Sequence, residues 1–102
     1  INALYAHNDD MAIGAIIAIE AYGLKPGKDI KIVSIDAIRD AFQAMIDGKI
    51  NATIECNPLL GPMFFEVALD VVNGEDIPKW IPSKESIFFP EDAAENLPTR
   101  KY

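Results

Sequence analysis

The sequence predicts an α/β fold on a parallel sheet. Short apolar runs alternate with stretches of helical period, the first two runs end on polar residues that open the next helix, and glycines stand where the helical patterns stop. Strands alternating with helices imply βαβ units, which wind right-handed.

Residues 2–7, Asn-Ala-Leu-Tyr-Ala-His, form the first expected strand and run into Asn8-Asp9-Asp10, a cluster suited to capping a helix. From Met11 to Ile19 nearly every position is apolar. Ala12, Gly14, Ala15 and Ala18 are small enough to let a helix lie close on a sheet, and Gly23 is a natural stop. After the polar turn Leu24 to Asp29, residues 30–35 are a β-branched run interrupted only by Lys31 and Ser34, a second strand. Asp36 follows. Ile38, Ala41, Phe42, Met45 and Ile46 then recur at helical spacing until Gly48, and residues 51–56 make a third strand.

The pattern changes after Asn57-Pro58. Leu60, Phe64, Val67 and Val71 fall at i, i+4, i+7 and i+11, an amphipathic helix with prolines near its start and Gly74 at its end. Pro78, Trp80 and Pro82 suit an extended, irregular crossing over residues 76–83. Residues 86–89 are expected to return to the sheet, and residues 91–96 have room for one helical turn. Phe64, Phe65, Phe88 and Phe89 read as core side chains, and Trp80 as a packing residue rather than a stacking platform.

Composition narrows the function. The formal charge is −7 and the nine basic residues are scattered, which argues against nucleic acid. Hydrophobic residues make up 50% of the chain, a globular proportion, with no apolar run long enough to cross a bilayer. Cys56 is the only cysteine, so no intrachain disulfide forms. There is one histidine and no cluster of metal-ligand type, no glycine-rich phosphate loop, no dinucleotide fingerprint and no nucleophile elbow. No catalytic residue, cofactor or metal is therefore expected. The chain starts at Ile1 rather than Met, and sequence upstream of it is expected.

In an open parallel sheet, ligands bind beyond the carboxyl ends of the strands, which directs attention to Asn8, Asp36 and Cys56. A carboxylate accepts from neighbouring hydroxyls, and an amide both donates and accepts, so Asn8 and Asp36 together suit a polyol. Asn and Asp at helix starts are also ordinary caps, and spacing alone leaves both roles open. His7 alternates to the opposite face from Asn8 and reads as a packed or surface residue. Cys56 reads as a small wall residue. Arg39 is placed to meet a ligand or a carboxylate, with a solvated position the plainer reading.

Three motifs carry a resemblance: Ala6-His7-Asn8-Asp9-Asp10-Met11-Ala12-Ile13-Gly14-Ala15, then Val33-Ser34-Ile35-Asp36 with Asp40, then Asp47-Gly48-Lys49-Ile50-Asn51-Ala52-Thr53-Ile54. In order and spacing, over about residues 1–90, they resemble the type I periplasmic sugar-binding proteins of ABC transporters. Glu55-Cys56-Asn57-Pro58 with Gly61-Pro62 is most similar to the galactofuranose-receptor branch. The resemblance implies a three-layer, periplasmic-binding-protein-like I fold present in part, as a C-terminal-lobe segment plus a hinge-crossing helix. It assigns residues 1–56 to the C-terminal lobe, 57–83 to a hinge crossing and a helix of the N-terminal lobe, and 84–102 to the return crossing, a short strand and the tail.

The resemblance also implies that Asn8 and Asp36 bind sugar hydroxyls, with Cys56 at a third position that is often Gln. Cysteine cannot replace a two-way amide, which puts ribose in doubt. Ala37 departs from the family's usual Gly. The implied partners are a sugar and, in the full-length protein, the ABC permease; the implied location is periplasmic, or extracellular and membrane-anchored. An unpaired edge and the Leu60–Val71 stripe are expected to be covered by self-association or by the helix repacking on its own chain. The alternative is the effector-sensing domain of a lac-repressor-type regulator, which shares the fold but usually carries paired acids where this chain has Asp36-Ala37. A small α/β enzyme is a third reading, without a nucleophile or cofactor loop to support it.

Overall fold

The computed structural model describes residues 1–102. In chain order the elements are β1 (Ala3–Tyr5), α1 (Asp9–Ala21), β2 (Lys31–Asp36), α2 (Arg39–Ile46), β3 (Ala52–Glu55), α3 (Gly61–Val72), β4 (Ile87–Phe88) and α4 (Pro90–Asn96), followed by a 3₁₀ turn over Leu97–Thr99. The sheet order is β1-β2-β3-β4. β1, β2 and β3 are parallel, and β4 adds antiparallel to β3. Each parallel step is thus a strand, a helix and the neighbouring strand, as the alternating pattern requires.

Burial alternates along β2 with the pleat: Ile32 and Ser34 are buried, while Val33 and Ile35 are half-exposed. The buried set faces one core in which Phe42, Ile32, Met45 and Ile50 are the largest apolar side chains, joined by Ala12 and Ile16 of α1 and Ala93 of α4. Phe42 packs on Phe88 with ring centroids 4.9 Å apart, which holds the antiparallel strand to the core.

The end of the sheet away from the site is closed by backbone contact. Gly27 has φ +76, and a Cβ there would lie 2.1 Å from the carbonyl oxygen of Gly48. Asn51 spans the same junction, accepting from the Ile32 N–H at 2.8 Å and donating to the Gly27 carbonyl at 3.1 Å. Gly27 is therefore required by space as well as by dihedral.

Several expectations about packing are overturned. None of the residues of α3 is buried. Phe64 and Phe65 are 66% and 67% exposed, and Phe89 is 45% exposed, so of the four phenylalanines expected in the core only Phe88 packs there. Trp80 is 79% exposed and plugs nothing. The helical period identifies an apolar face, but nothing in the chain covers it; α3 has not repacked on its own sheet, and the molecule is elongated, 60 × 27 × 17 Å. Arg39 keeps the solvent-exposed position that was the plainer of its readings, and its guanidinium donates to the carbonyls of Leu97 and Arg100 and so fastens the tail. The tail is more ordered than one turn, because α4 buries Ala93 against α2 and continues into the 3₁₀ turn.

Candidate functional site

The register of the parallel strands lines up the strand ends. Tyr5 pairs with Val33 as the last register pair of β1 and β2, and Asn8 follows three residues beyond, at the start of α1. Asp36 in turn pairs with Glu55, and Cys56 stands one residue beyond. Asp36 thus ends β2 and Cys56 follows β3, while Asn8 lies past the end of β1, all on the carboxyl-end side of the parallel strands, where the chain turns into helices α1 and α2 or leaves for α3.

Asn8 is extended and caps α1, its Oδ1 accepting from the Met11 N–H at 2.8 Å. Its amide nitrogen makes no hydrogen bond within the chain. His7 is exposed and lies against Tyr5, ring centroids 5.4 Å apart, in keeping with the surface role expected of it.

Asp36 ends β2 with φ 120, and Ala37 follows at φ 60, two consecutive non-glycine residues in the left-handed region. Residues with a Cβ avoid this region at about 1–2 kcal/mol each, so the surroundings must hold them there. They do so at three backbone groups. The Ala37 N–H donates to Thr53 Oγ1 at 3.2 Å, the Ala37 carbonyl accepts from Arg100 Nε at 3.0 Å, and the Ile38 N–H donates to Asp9 Oδ2 at 2.9 Å. The Asp36 carboxyl is pushed above the usual carboxylate range by burial first and then by the charges of Asp9 and Asp10.

Asp9 was read from sequence only as part of a capping cluster, yet it is fully buried. Its Oδ1 accepts from Ser34 Oγ and from Thr53 Oγ1, the latter at 2.8 Å. One carboxylate thus ties α1 to β2, to β3 and to the turn after Asp36. The sequence held a sign of it: Ser34 and Thr53 are register partners, and two hydroxyls side by side on an inward face need an acceptor.

The second unforeseen part is the tail. Arg100 Nη1 bonds Glu55 Oε1 at 2.7 Å, Tyr102 Oη donates to the same oxygen at 2.7 Å, and the Arg39 N–H donates to the Tyr102 carbonyl at 2.9 Å. Burial alone would raise Glu55, but the bonds from Tyr102 and Arg100 and the Arg100 charge outweigh it, and its carboxyl sits below the ordinary range. The Tyr102 hydroxyl is pushed up to about 12, by burial and by its bond to Glu55. Tyr102 is thereby fixed against Asp36 and Cys56, and with Ile38, Asn57, Pro58 and Leu60 these residues line a groove of about 500 Å³. Asn8 does not line it. A larger share of polar residues lines the depression at Lys25, Lys28 and Lys49, but that lies at the opposite end of the strands.

No family model matches the sequence. The galactofuranose-binding protein YtfQ of Escherichia coli K12 is 44% identical over 99 residues, covering 96% of this chain and 31% of the relative. The periplasmic binding protein of the arabinose ABC transporter from Shewanella sp. ANA-3, solved with α- and β-L-arabinofuranose, superposes with a TM-score of 0.91 at 44% identity over 99% of this chain. The chain belongs to the type I periplasmic sugar-binding proteins of ABC transporters, as a C-terminal part. A Mycobacterium smegmatis protein of this fold in complex with β-D-fucofuranose is 48% identical, with a TM-score of 0.91 over 100% of this chain and 34% of its own length. The chain thus spans about a third of the relatives it matches.

Proposed function

We propose that this chain carries one wall of the sugar site in the solute-binding component of a carbohydrate ABC importer. The observation that carries the reading is the groove at the carboxyl ends of β2 and β3, lined by Asp36, Cys56 and Tyr102, with Asn8 at the start of α1 on the same side of the sheet. A carboxylate, a weakly polar wall and an aromatic ring are the surfaces a sugar presents partners for: hydroxyls to Asp36 and Asn8, and an apolar ring face to Tyr102. The relatives named above are described with galactofuranose, arabinofuranose and fucofuranose, which supports a furanose-form ligand. Cys56, in place of an amide, favours a ligand that needs no two-way hydrogen bond at that point. The relatives are binding proteins by name, so they lend no support to the transcription-regulator reading.

In the complete receptor, residues 1–56 belong to one lobe and 57–83 cross to the other, where the bare apolar face of α3 is covered; that none of its residues is buried here supports this division. Sugar contacts made by both lobes at once favour the closed state, which the permease recognises. The receptor then works outside the cytoplasmic membrane. The test is a thermal-shift and calorimetric screen of the complete receptor with L-arabinose, D-galactose, D-fucose, D-fructose and D-ribose. A bound sugar raises the melting temperature by mass action. Asp36→Ala is expected to abolish the shift, and unchanged affinity in that variant rejects the site.

A further inference from the structure

Resting on that reading, we propose that Asp9 is a positioning residue of the sugar site, fixing the Asp36–Ile38 turn so that the Asp36 carboxylate faces the groove. Four observations meet here. Asp9 is fully buried, and a buried carboxylate is retained against its desolvation only where several donors satisfy it. The donors are two strand hydroxyls, Ser34 and Thr53, and the Ile38 N–H of the turn itself. Thr53 is a relay, donating to Asp9 while accepting from the Ala37 N–H. The turn so held is the one at which Asp36 and Ala37 both take positive φ.

A capping duty does not account for Asp9, because Asn8 already caps α1. Nor does helix–sheet packing, which an apolar side chain serves without the cost of burying a charge. The carboxylate has what an apolar side chain lacks, acceptors on both oxygens: one for the β2 and β3 hydroxyls and one for the turn. An asparagine at position 9 keeps the shape but turns one acceptor into a donor, so it cannot accept from the Ile38 N–H and from both hydroxyls at once.

The experiment compares Asp9→Asn, Thr53→Val, Asp36→Asn and Ile50→Val in the complete receptor, using the tightest-binding sugar of the five-sugar panel. Ile50 is fully buried, precedes β3 at the far end of the strand and hydrogen-bonds to none of these groups, so its variant reports plain loss of stability. Asp9→Asn and Thr53→Val are expected to weaken binding by about tenfold or more. Ile50→Val is expected to stay within about twofold of wild type, as a distant independent site should. Amide exchange at Ala37 and Ile38 is expected to quicken in Asp9→Asn and not in Ile50→Val. If Asp9→Asn does not fold, Thr53→Val carries the comparison. Affinity within twofold of wild type for both variants, while Asp36→Asn loses binding, overturns the positioning role. An unaffected Asp36→Asn, or no binding of any panel sugar by wild type, overturns the parent reading instead.

Discussion

Replacing Arg100 with Met removes a charge from the tail while keeping an unbranched stem over the same rings. Arg100 stands 2.7 Å from Glu55, with side-chain exposures of 10% and 12%. It also donates to Tyr102 Oη at 2.6 Å and to the Ala37 carbonyl at 3.0 Å, with its guanidinium carbon 5.2 Å from the Phe42 and Phe88 ring centres. An exposed pair would be worth about 1 kcal/mol or less. Breaking a buried pair costs about 3–5 kcal/mol, because the remaining charge is stranded. Tyr102 still donates to Glu55, and the Met thioether keeps ring contact, so the lower end applies, about 3 kcal/mol. Urea unfolding of the complete receptor at pH 7 should show a lowered midpoint with an unchanged slope.

The pH dependence gives that prediction a second arm. Glu55 is held below its ordinary value of 4.5. The stability contributed by a depressed acid is present above the unfolded value and is lost as pH falls through the folded one. The gap between wild type and Arg100→Met should therefore be full at pH 7 and shrink below about pH 4.5. Tyr102 behaves oppositely: with its hydroxyl raised from 10.0 to about 12, its contribution is present below pH 10 and fades as pH climbs toward 12. A loss under about 1 kcal/mol, or a gap that ignores acid, would refute the buried clamp.

The remaining expectations are simpler. Gly27→Ala meets the Gly48 carbonyl at 2.1 Å as well as an unfavourable φ, and should cost about 3 kcal/mol or more in urea unfolding. Gly23→Ala, at φ +87 but in open space, should cost only about 1 kcal/mol. Asp36→Asn should stabilise the unliganded receptor at pH 7 while removing binding, because the raised acid disfavours its own charged form in the fold. That advantage should close as pH falls and wild-type Asp36 takes up its proton; melting curves at stepped pH check it. Ala37→Gly relieves about 1–2 kcal/mol of left-handed strain but loses about 0.8 kcal/mol of methyl burial and gains unfolded-chain freedom, so its midpoint should stay within about 0.5 kcal/mol of wild type.

The β-α-β-α-β order was legible because each strand and helix carries its own period and stop. Asn8 heads α1 and Asp36 ends β2, within a residue of where the pattern placed them. Local signals failed where a contact partner is distant in sequence or where nothing in the chain covers an apolar side chain. Arg100 reaches Glu55 across 45 residues, and no spacing rule links them. Phe64 and Phe65 read as core, and Trp80 as a packing residue, from their chemistry, which reports an appetite for burial without supplying what buries them. Asp9 was hidden by its neighbour, since three consecutive polar residues at a helix start look like one cap.

The paired left-handed residues at 36 and 37 also decide where this receptor can change and stay folded. A β-branched replacement at either position would meet a backbone it strongly disfavours, so the changes tolerated there are confined to glycine and to short or polar side chains. The opposite wall, at Cys56, Asn57 and Leu60, has ordinary backbone and solvent beside it. If the proposed sugar site is right, diversifying that wall while the turn facing it stays constant is the expected route to new sugar preferences.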